Sequence, residues 1–453
     1  MAKYQKYAEY KDSGVEWLGE IPSHWRVSKV KYLAPFQVGW TPPTKNDANF
    51  IGENLWVNIS DLKAKTITST SKQISDKAAL EASMDITPKG SLMYSFKLSV
   101  GAVSFAGCDM YTNEAIASFL DTSKLPLSFL YYVLPKFVIE NASTNIYGAK
   151  ILNQELIRNA NLIELPFEEA ENIANFLDHE TAKIDSLIAK QEKLIELLKE
   201  KRQAVISHAV TKGLNPDVKM KDSGVEWLGQ VPEHWRVSRF KFVCSSIIAG
   251  PFGSSITKDM YVPKGYKVYG QEQVIPNDFE IGDYYISEKN YIELSRYAVY
   301  PRDILISCVG TFGKIAVFPE NAEKGIINPR LIKATVSNKF NPYFFREYLK
   351  SDAVFKQFEQ LSRGGTMGVI NIGILNEIIA VIPPIKEQDD IYNFIQQQKY
   401  KFNSLIKKAE SAIQLMQERR TTLISYAVTG KIDVRNWQNP NHNNNEVNTE
   451  LGA

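Results

Sequence analysis

Two polar stretches of the 453-residue chain hold side chains of the kinds that pair with nucleobase edges and phosphates. In QVGWTPPTKNDANFIGENLWVNISDLKAK, from 37 to 65, they are Gln37, Trp40, Thr41, Lys45, Asn58, Ser60, Asp61, Lys63 and Lys65. In the second half of the chain, Ser254, Ser255, Lys258, Gln271 and Gln273 occupy comparable loops. Asn and Gln can pair bidentately with adenine, and Lys or Arg with guanine or phosphate, so this stock suits direct reading of bases. An exposed polar loop without a ligand would hold the same residue types. A third pair of stretches matches by position: NIYGAK at 145–150 answers RGGTMG at 363–368. There Gly148, Gly364 and Gly365 permit tight turns close to a phosphate, and Lys150, Arg363 and Thr366 supply charge and a hydroxyl. A plain chain reversal explains those glycines equally well.

Catalytic patterns are weaker. A methyltransferase acting on an amino group needs an Asn/Asp-Pro-Pro-aromatic elbow, and NPR at 328 and NPY at 341 lack the second proline. A nucleotide-driven motor needs GxxxxGK followed by Ser or Thr; GTFGKI at 310–315 is too short and ends in Ile, and reads as a turn between strands. A nuclease with two centres would show paired acids and a lysine in each half. The nearest imitation, NPDVK at 215–219, falls in a linker. His24 and His234 have no Asp or Cys at ligand spacing and read as structural. Cys108, Cys244 and Cys308 are odd in number and keep no metal rhythm, which suits a reducing compartment.

The elements that would position the polar loops come in duplicate. KDSGVEWLGEIPSHWRVSKVKYL at 11–33 aligns without a gap to KDSGVEWLGQVPEHWRVSRFKFV at 221–243, with 16 of 23 pairs identical. Downstream, IANFLDHETAKIDSLI at 173–188 answers IYNFIQQQKYKFNSLI at 391–406, and ISHAVT at 206–211 answers ISYAVT at 424–429. The bodies between, roughly 34–165 and 244–383, are far less alike. Faint landmarks persist: GSLMYSFKLSVGAVSF at 90–105 is similar to RDILISCVGTFGKIAVF at 302–318. Short β-branched and aromatic runs broken by Gly, Pro and Asn mark both bodies as α+β modules dominated by strands and loops.

The stretches 168–210 and 387–428 are different. The first has no Pro or Gly, and its apolar residues recur as Ile173, Leu177, Ile184, Leu187, Leu194, Leu198 and Val205. The second repeats the pattern as Ile391, Ile395, Phe402, Leu405, Ala409, Ala412, Met416 and Leu423. Spacings of three, four and seven predict long amphipathic helices, on the order of 60 Å, whose stripes want a partner helix. Pairing with each other within the chain, parallel or antiparallel, is the economical arrangement. Pro166, Pro383 and Pro384 precede the helices, and Gly213 and Gly430 come after them. Trp17, Trp25, Trp227 and Trp235 in the repeated flanks serve either to pack the flank or to anchor a shared partner.

Bulk composition fits two to four domains. Lys plus Arg (53) nearly balance Asp plus Glu (51), so nucleic-acid binding must be argued from architecture and not from net charge. No apolar run reaches about 18 residues and the start has no signal-peptide core, which predicts a cytoplasmic protein away from membranes. Residues past about 436 are Asn-rich and aperiodic, the mark of a disordered tail.

With its paired KDSGVEWLG and IPSHW/VPEHW flanks, LIELP and VIPPI entries and repeated helices, the chain resembles the specificity subunit of type I restriction-modification systems over about residues 3–430. The resemblance implies an α+β protein, internally duplicated with pseudo-two-fold symmetry, in which two long antiparallel coiled-coil helices separate two globular target-recognition domains. It places the first domain with its flank at 1–166, the first spacer helix at 167–210, the linker and second domain at 211–383, the second helix at 384–430 and a polar tail at 431–453. It implies a non-catalytic subunit that reads a bipartite double-stranded DNA site. The partners implied are two adenine-methyltransferase subunits and restriction-translocase subunits, and S-adenosylmethionine, ATP and Mg2+ belong to those partners. From the residues alone, a protein-only coiled-coil adaptor remains an alternative to the DNA reader.

Overall fold

The computed structural model describes residues 4–81, 85–144, 148, 150–308, 313–361 and 370–440, and the side chain of Ser254 lies outside that description. Two compact units emerge, one of residues 1–190 with 412–453 and the other of 191–411. Each therefore contains part of both long helices.

In the first unit the body consists of strands β1 (Phe36–Val38), β2 (Asn54–Val57), β3 (Thr66–Ile67), β4 (Lys72–Ile74), β5 (Leu92–Ser95), β6 (Val103–Ala106), β7 (Tyr111–Thr112) and β8 (Ile116–Phe119). They form a five-stranded sheet in the order β1-β8-β5-β6-β3 and a small sheet in the order β7-β2-β4, in which β7 and β2 run parallel. β5 and β8 are buried at every position, so they read in the sequence as apolar runs and not as alternating strands. A helix at Leu127–Phe137 covers the large sheet with Phe129, Leu130, Val133 and Leu134.

The second unit repeats the plan. Its strands are β9 (Cys244–Ala249), β10 (Tyr261–Val262), β11 (Tyr266–Tyr269), β12 (Tyr285–Ile286), β13 (Asp303–Ser307), β14 (Ile315–Val317), β15 (Gly325–Ile327) and β16 (Leu331–Val336). The large sheet runs β9-β16-β13-β14 and the small one β15-β11-β12-β10, again with its first pair parallel. Four strands of the large sheet and three of the small one keep the order of the first body, while β3 and β10 have no counterpart. The covering helix is Pro342–Leu349, whose N-cap Asn341 accepts hydrogen bonds from the Tyr343 and Phe344 N–H groups, with Pro342 at the first helical position. The Asn-Pro-Tyr triplet at 341 is thus a helix start.

Helix α1 spans Phe167–Lys212 and α2 spans Ile385–Val428. Each ends on a left-handed glycine, Gly213 (φ 80°) and Gly430 (φ 70°), a conformation that costs glycine least. In the first unit the Arg420 Nε–H donates to Asp185 Oδ1 at 2.8 Å, while Gly430 sits against Trp25 at the start of α1, so the two helices run antiparallel there. Arg202 and Asn403 make the corresponding contact in the second unit. The buried line on α1 runs through Ile173, Leu177, Thr181, Ile184 and Ile188. Leu187 and Leu194, expected on that stripe, are exposed, as is Leu405 on α2. A straight helix drifts about 20° per heptad, which rotates residues counted by sevens off the line. At the C-terminal end the chain stays packed past 431: Ile432 and Val434 are buried, the Asp433 N–H donates to the Gln5 carbonyl at 2.8 Å, and Trp437 meets Phe176 edge-on.

Candidate nucleic-acid interface

Two turns fix the geometry of each body. Where β2 ends, the Asp61 carboxylate accepts the Asn58 N–H at 2.8 Å and the Ser71 N–H at 3.1 Å. Where β11 ends, Gln273 Oε1 accepts the Gly270 N–H at 2.8 Å, and its amide donates to Glu272 at 2.9 Å and to the Ile281 carbonyl at 3.0 Å. Asp61 and Gln273 are therefore counterparts that cap the same turn, because its N–H would otherwise go unpaired. Both were expected to read bases. Gln273 is fully buried and spends its amide within the turn, so in this conformation it presents no edge to a ligand.

A second matching turn joins β7 to β8 and β15 to β16. The Asn113 N–H donates to the Val57 carbonyl at 3.1 Å, and its side chain accepts the Ala115 N–H at 3.0 Å. The Asn328 N–H donates to the Tyr269 carbonyl at 2.8 Å, and its side chain accepts the Arg330 N–H at 2.9 Å. TNEAI at 112–116 is thereby the counterpart of INPRL at 327–331. Beside each turn passes a glycine that tolerates no side chain: a Cβ on Gly39 would lie 1.8 Å from the Thr112 carbonyl oxygen, and one on Gly250 would lie 1.9 Å from that of Asn328.

Around these frames the exposed residues differ. In the first body, the Thr41 hydroxyl donates to Glu114, and Lys97 Nζ stands 3.9 Å from the same carboxylate, with Trp40 exposed nearby in the chain. Lys45, Ser60 and Lys63 are exposed. Half-buried Gln37 donates to the Ile86 carbonyl at 2.8 Å, and Asn58 reaches Ser71 at 3.4 Å. Lys65 is committed to the helix, paired with Asp178 at 2.5 Å and lying over the Tyr131 ring. Lys150 stands apart from this group, 3.8 Å from Glu140.

In the second body a cleft of about 740 Å³ is lined by Lys258, Tyr261, Gln271, Tyr284, Asn328 and Arg330. Gln271 donates to the Ser307 hydroxyl at 2.6 Å, and Ser255 is exposed. Lys258 and Gln271 are thus brought together; the side chain of Ser254 and residues Arg363, Gly364, Gly365 and Thr366 lie outside the described residues. Gly310, Thr311 and Phe312 of GTFGKI also lie outside them. Sequence reasoning missed Glu114, Lys97 and Arg330. Arg330 drew notice only inside a failed catalytic triplet, and its match to Ala115 comes from the shared hydrogen bonds of the turn.

The repeated flanks do a different job. Trp25 and Trp235 are fully buried, and their indole N–H groups donate at 3.0 Å to Glu169 and Glu387 in the first turns of α1 and α2. His24 and His234 contact the same carboxylates at 2.8 Å. Carboxylates are favoured at helix N-termini, so one residue serves dipole, indole and imidazole together. Tyr7 adds a third bond to Glu169 at 2.8 Å, and burial beside that carboxylate pushes its phenol well above the usual range. Trp17 meets Phe137 edge-on at 4.9 Å, and Trp227 packs against the second core. Among the described residues no helix is long and apolar enough to cross a membrane.

This duplicated frame has known counterparts. The model of the type I restriction modification DNA specificity domain matches residues 22–197 and again 232–415. The MjaIX specificity subunit of Methanocaldococcus jannaschii is 26% identical over 206 residues, 44% of this chain and 46% of that one, so the match spans less than half of that relative. The EcoBI specificity subunit of Escherichia coli is 23% identical, across 69% of this chain and 67% of its own. The EcoKI specificity subunit of Escherichia coli K12 is 19% identical across 93% and 92%. Among solved structures, one from a study of complex assembly and conformational transition of the type I R-M system aligns at TM-score 0.68 and 14% identity, covering 90% of this chain and 98% of that one. The HsdS subunit from Thermoanaerobacter tengcongensis aligns at 0.56 and 15%, covering 91% and 98%. Two matched stretches over most of its length, on two bodies that share the order of seven strands, place the chain in the type I restriction modification DNA specificity domain family.

Proposed function

We propose that this chain reads DNA sequence in a type I restriction-modification system, each body addressing one half of a bipartite double-stranded site, and that it scaffolds methyltransferase and restriction subunits. The observation that carries the reading is the shared order of seven strands in two bodies whose exposed side chains differ at matching turns. A duplicated scaffold with unlike surfaces suits two unlike half-sites.

The chain carries out no chemical step in this reading. Phosphate contacts from residues such as Lys45, Lys63 and Lys150 set position, and edge contacts from Gln37, Thr41, Asn58, Ser60, Lys258 and Gln271 discriminate. Trp40 adds apolar contact, and Ser254, Ser255, Arg363 and Thr366 belong to the candidate set of the second body. Asp61 and Gln273 support from behind as turn caps. Two methyltransferase subunits, holding S-adenosylmethionine, would flip and methylate adenine, which is inaccessible in the stack. Restriction-translocase subunits would bring ATP and Mg2+ in the cytoplasm. Near-neutral net charge leaves much of the phosphate neutralisation to those partners, and the isolated chain then binds DNA weakly and with little selectivity.

The test is to co-express the chain with the adenine methyltransferase encoded beside it, expose a random DNA library, and map methylated adenines by single-molecule sequencing. Methylation that depends on the chain and falls on one bipartite motif with a constant gap is the expected result. An identical pattern with and without the chain would leave a protein-only adaptor. Equal insertions in α1 and α2 change the accepted gap and leave both half-sequences as they were.

A further inference from the structure

The residue pair just after the shared asparagine of the β7–β8 and β15–β16 turns differs in charge between the bodies. Three matching hydrogen bonds hold Asn113 and Asn328: each N–H donates to the last carbonyl of the adjacent strand, β2 or β11, each side chain accepts the N–H two residues on, and each carbonyl accepts the N–H three residues on, at 3.2 Å in both bodies. The next two residues of each turn therefore stand at equivalent places: Glu114 matches Pro329, and Ala115 matches Arg330.

The two places also differ in burial. The Ala115 carbonyl accepts the Phe96 N–H at 3.0 Å, and Ala115 and Phe96 are both buried. In the second body the Arg330 carbonyl accepts the Cys308 N–H at 3.0 Å. Arg330 is exposed and lines the cleft with Lys258 and Gln271. In the first body the charge sits one residue earlier: Glu114 is about half exposed (48%), held by Thr41 and Lys97.

We infer that Arg330 and Glu114 are the specificity determinants that make the two half-sites different, Arg330 reading a guanine edge in one half and Glu114 accepting from a cytosine amino group in the other. The inference rests on the DNA-reading function proposed above. A guanidinium fork matches guanine O6 and N7, whereas a carboxylate can only accept and therefore selects an amino donor. Thr41 and Lys97 hold the carboxylate in place, which makes it a positioned acceptor.

The experiment uses the full chain with its methyltransferase and compares wild type, Arg330→Gln and Glu114→Gln by methylated-motif mapping. Binding of each purified complex to its motif and to single-base-changed duplexes is measured alongside. If the wild type yields no chain-dependent motif, the proposed function itself falls. Given a wild-type motif, Arg330→Gln is expected to lower discrimination at one G·C pair of one half-site by roughly 5- to 150-fold, with the other half-site and the gap unchanged. Glu114→Gln is expected to do the same in the opposite half. An unchanged motif, or a uniform loss of binding with every base-pair ratio preserved, would overturn the inference and assign both residues to positioning. Should a variant methylate nothing, the binding ratios decide in the same way.

Discussion

The two bodies keep their backbones alike and let their side chains part company. Six residues separate Phe96 from Val103 in the first and Cys308 from Ile315 in the second, and Gly101 (φ 90°) and Gly313 (φ 92°) take the same left-handed conformation at matching positions. The turn at Asn113 returns at Asn328, and the close glycine at 39 returns at 250. Each of these features serves the main chain, and a main chain tolerates few substitutes. On the reading proposed above, Glu114 and Arg330 answer to the DNA they meet and are free to differ where the turn asparagine is not.

The contact between each body and its own helices shows the same division with different chemistry. In the first unit the Tyr132 hydroxyl donates to Asp178 on α1 at 2.5 Å, and Asp178 also holds Lys65. In the second, buried Glu347 holds Lys399 on α2 and Arg346, each at 2.6 Å. Burial pushes the Glu347 carboxyl up, but Lys399 and Arg346 outweigh that and hold it below the usual range. One lock centres on a phenol hydrogen bond and the other on a buried ion triad.

The comparison can be broken or sharpened by experiment. Trp25→Ala and Trp235→Ala should each cost about 3–5 kcal/mol by urea unfolding, because both indoles are fully buried against equivalent carboxylates. A large cost in one unit only would end the claim that the flanks do one job twice. Glu347→Gln should cost about 3 kcal/mol by leaving Lys399 and Arg346 uncompensated, whereas Tyr132→Phe should cost about 1–2 kcal/mol; equal values would erase the distinction between the locks. Gly39→Ala and Gly250→Ala should each cost about 1–3 kcal/mol and blur recognition of one half-site, read out by unfolding and by motif mapping.

A further effect depends on pH. Burial pushes the Lys350 ammonium down to about 8, with Glu347 opposing and Arg346, Lys399 and Lys314 adding to the fall. An unfolded lysine titrates near 10.4, so between about pH 8 and 10.4 the unfolded chain binds more protons and the folded state gains stability as pH rises. Wild type should therefore gain about 2 kcal/mol relative to Lys350→Met from pH 8 to 10. A difference that stays flat with pH would place the ammonium in solvent.

Much of this architecture was legible in the string of residues, because duplication and periodicity are properties of the string. The repeated KDSGVEWLG flanks announced two copies, and the three-four spacing with flanking Pro and Gly marked both long helices. Candidate readers fared unevenly. Lys258 and Gln271 share one cleft, whereas Asp61 and Gln273 turn inward as caps and Lys65 joins the helix. Residue type alone cannot separate an amide that caps a turn from one that faces a ligand, since both need the same donors and acceptors.

The sequence by itself determined that the chain is a duplication, with long amphipathic helices after divergent α+β bodies, because composition and period survive without knowledge of contacts. Tertiary structure alone decided that TNEAI matches INPRL, that Glu114 leans on Thr41 and Lys97, and that Arg330 lines a cleft. Those facts depend on hydrogen bonds between strands distant in the chain, and on Ala115 being buried where Arg330 is exposed.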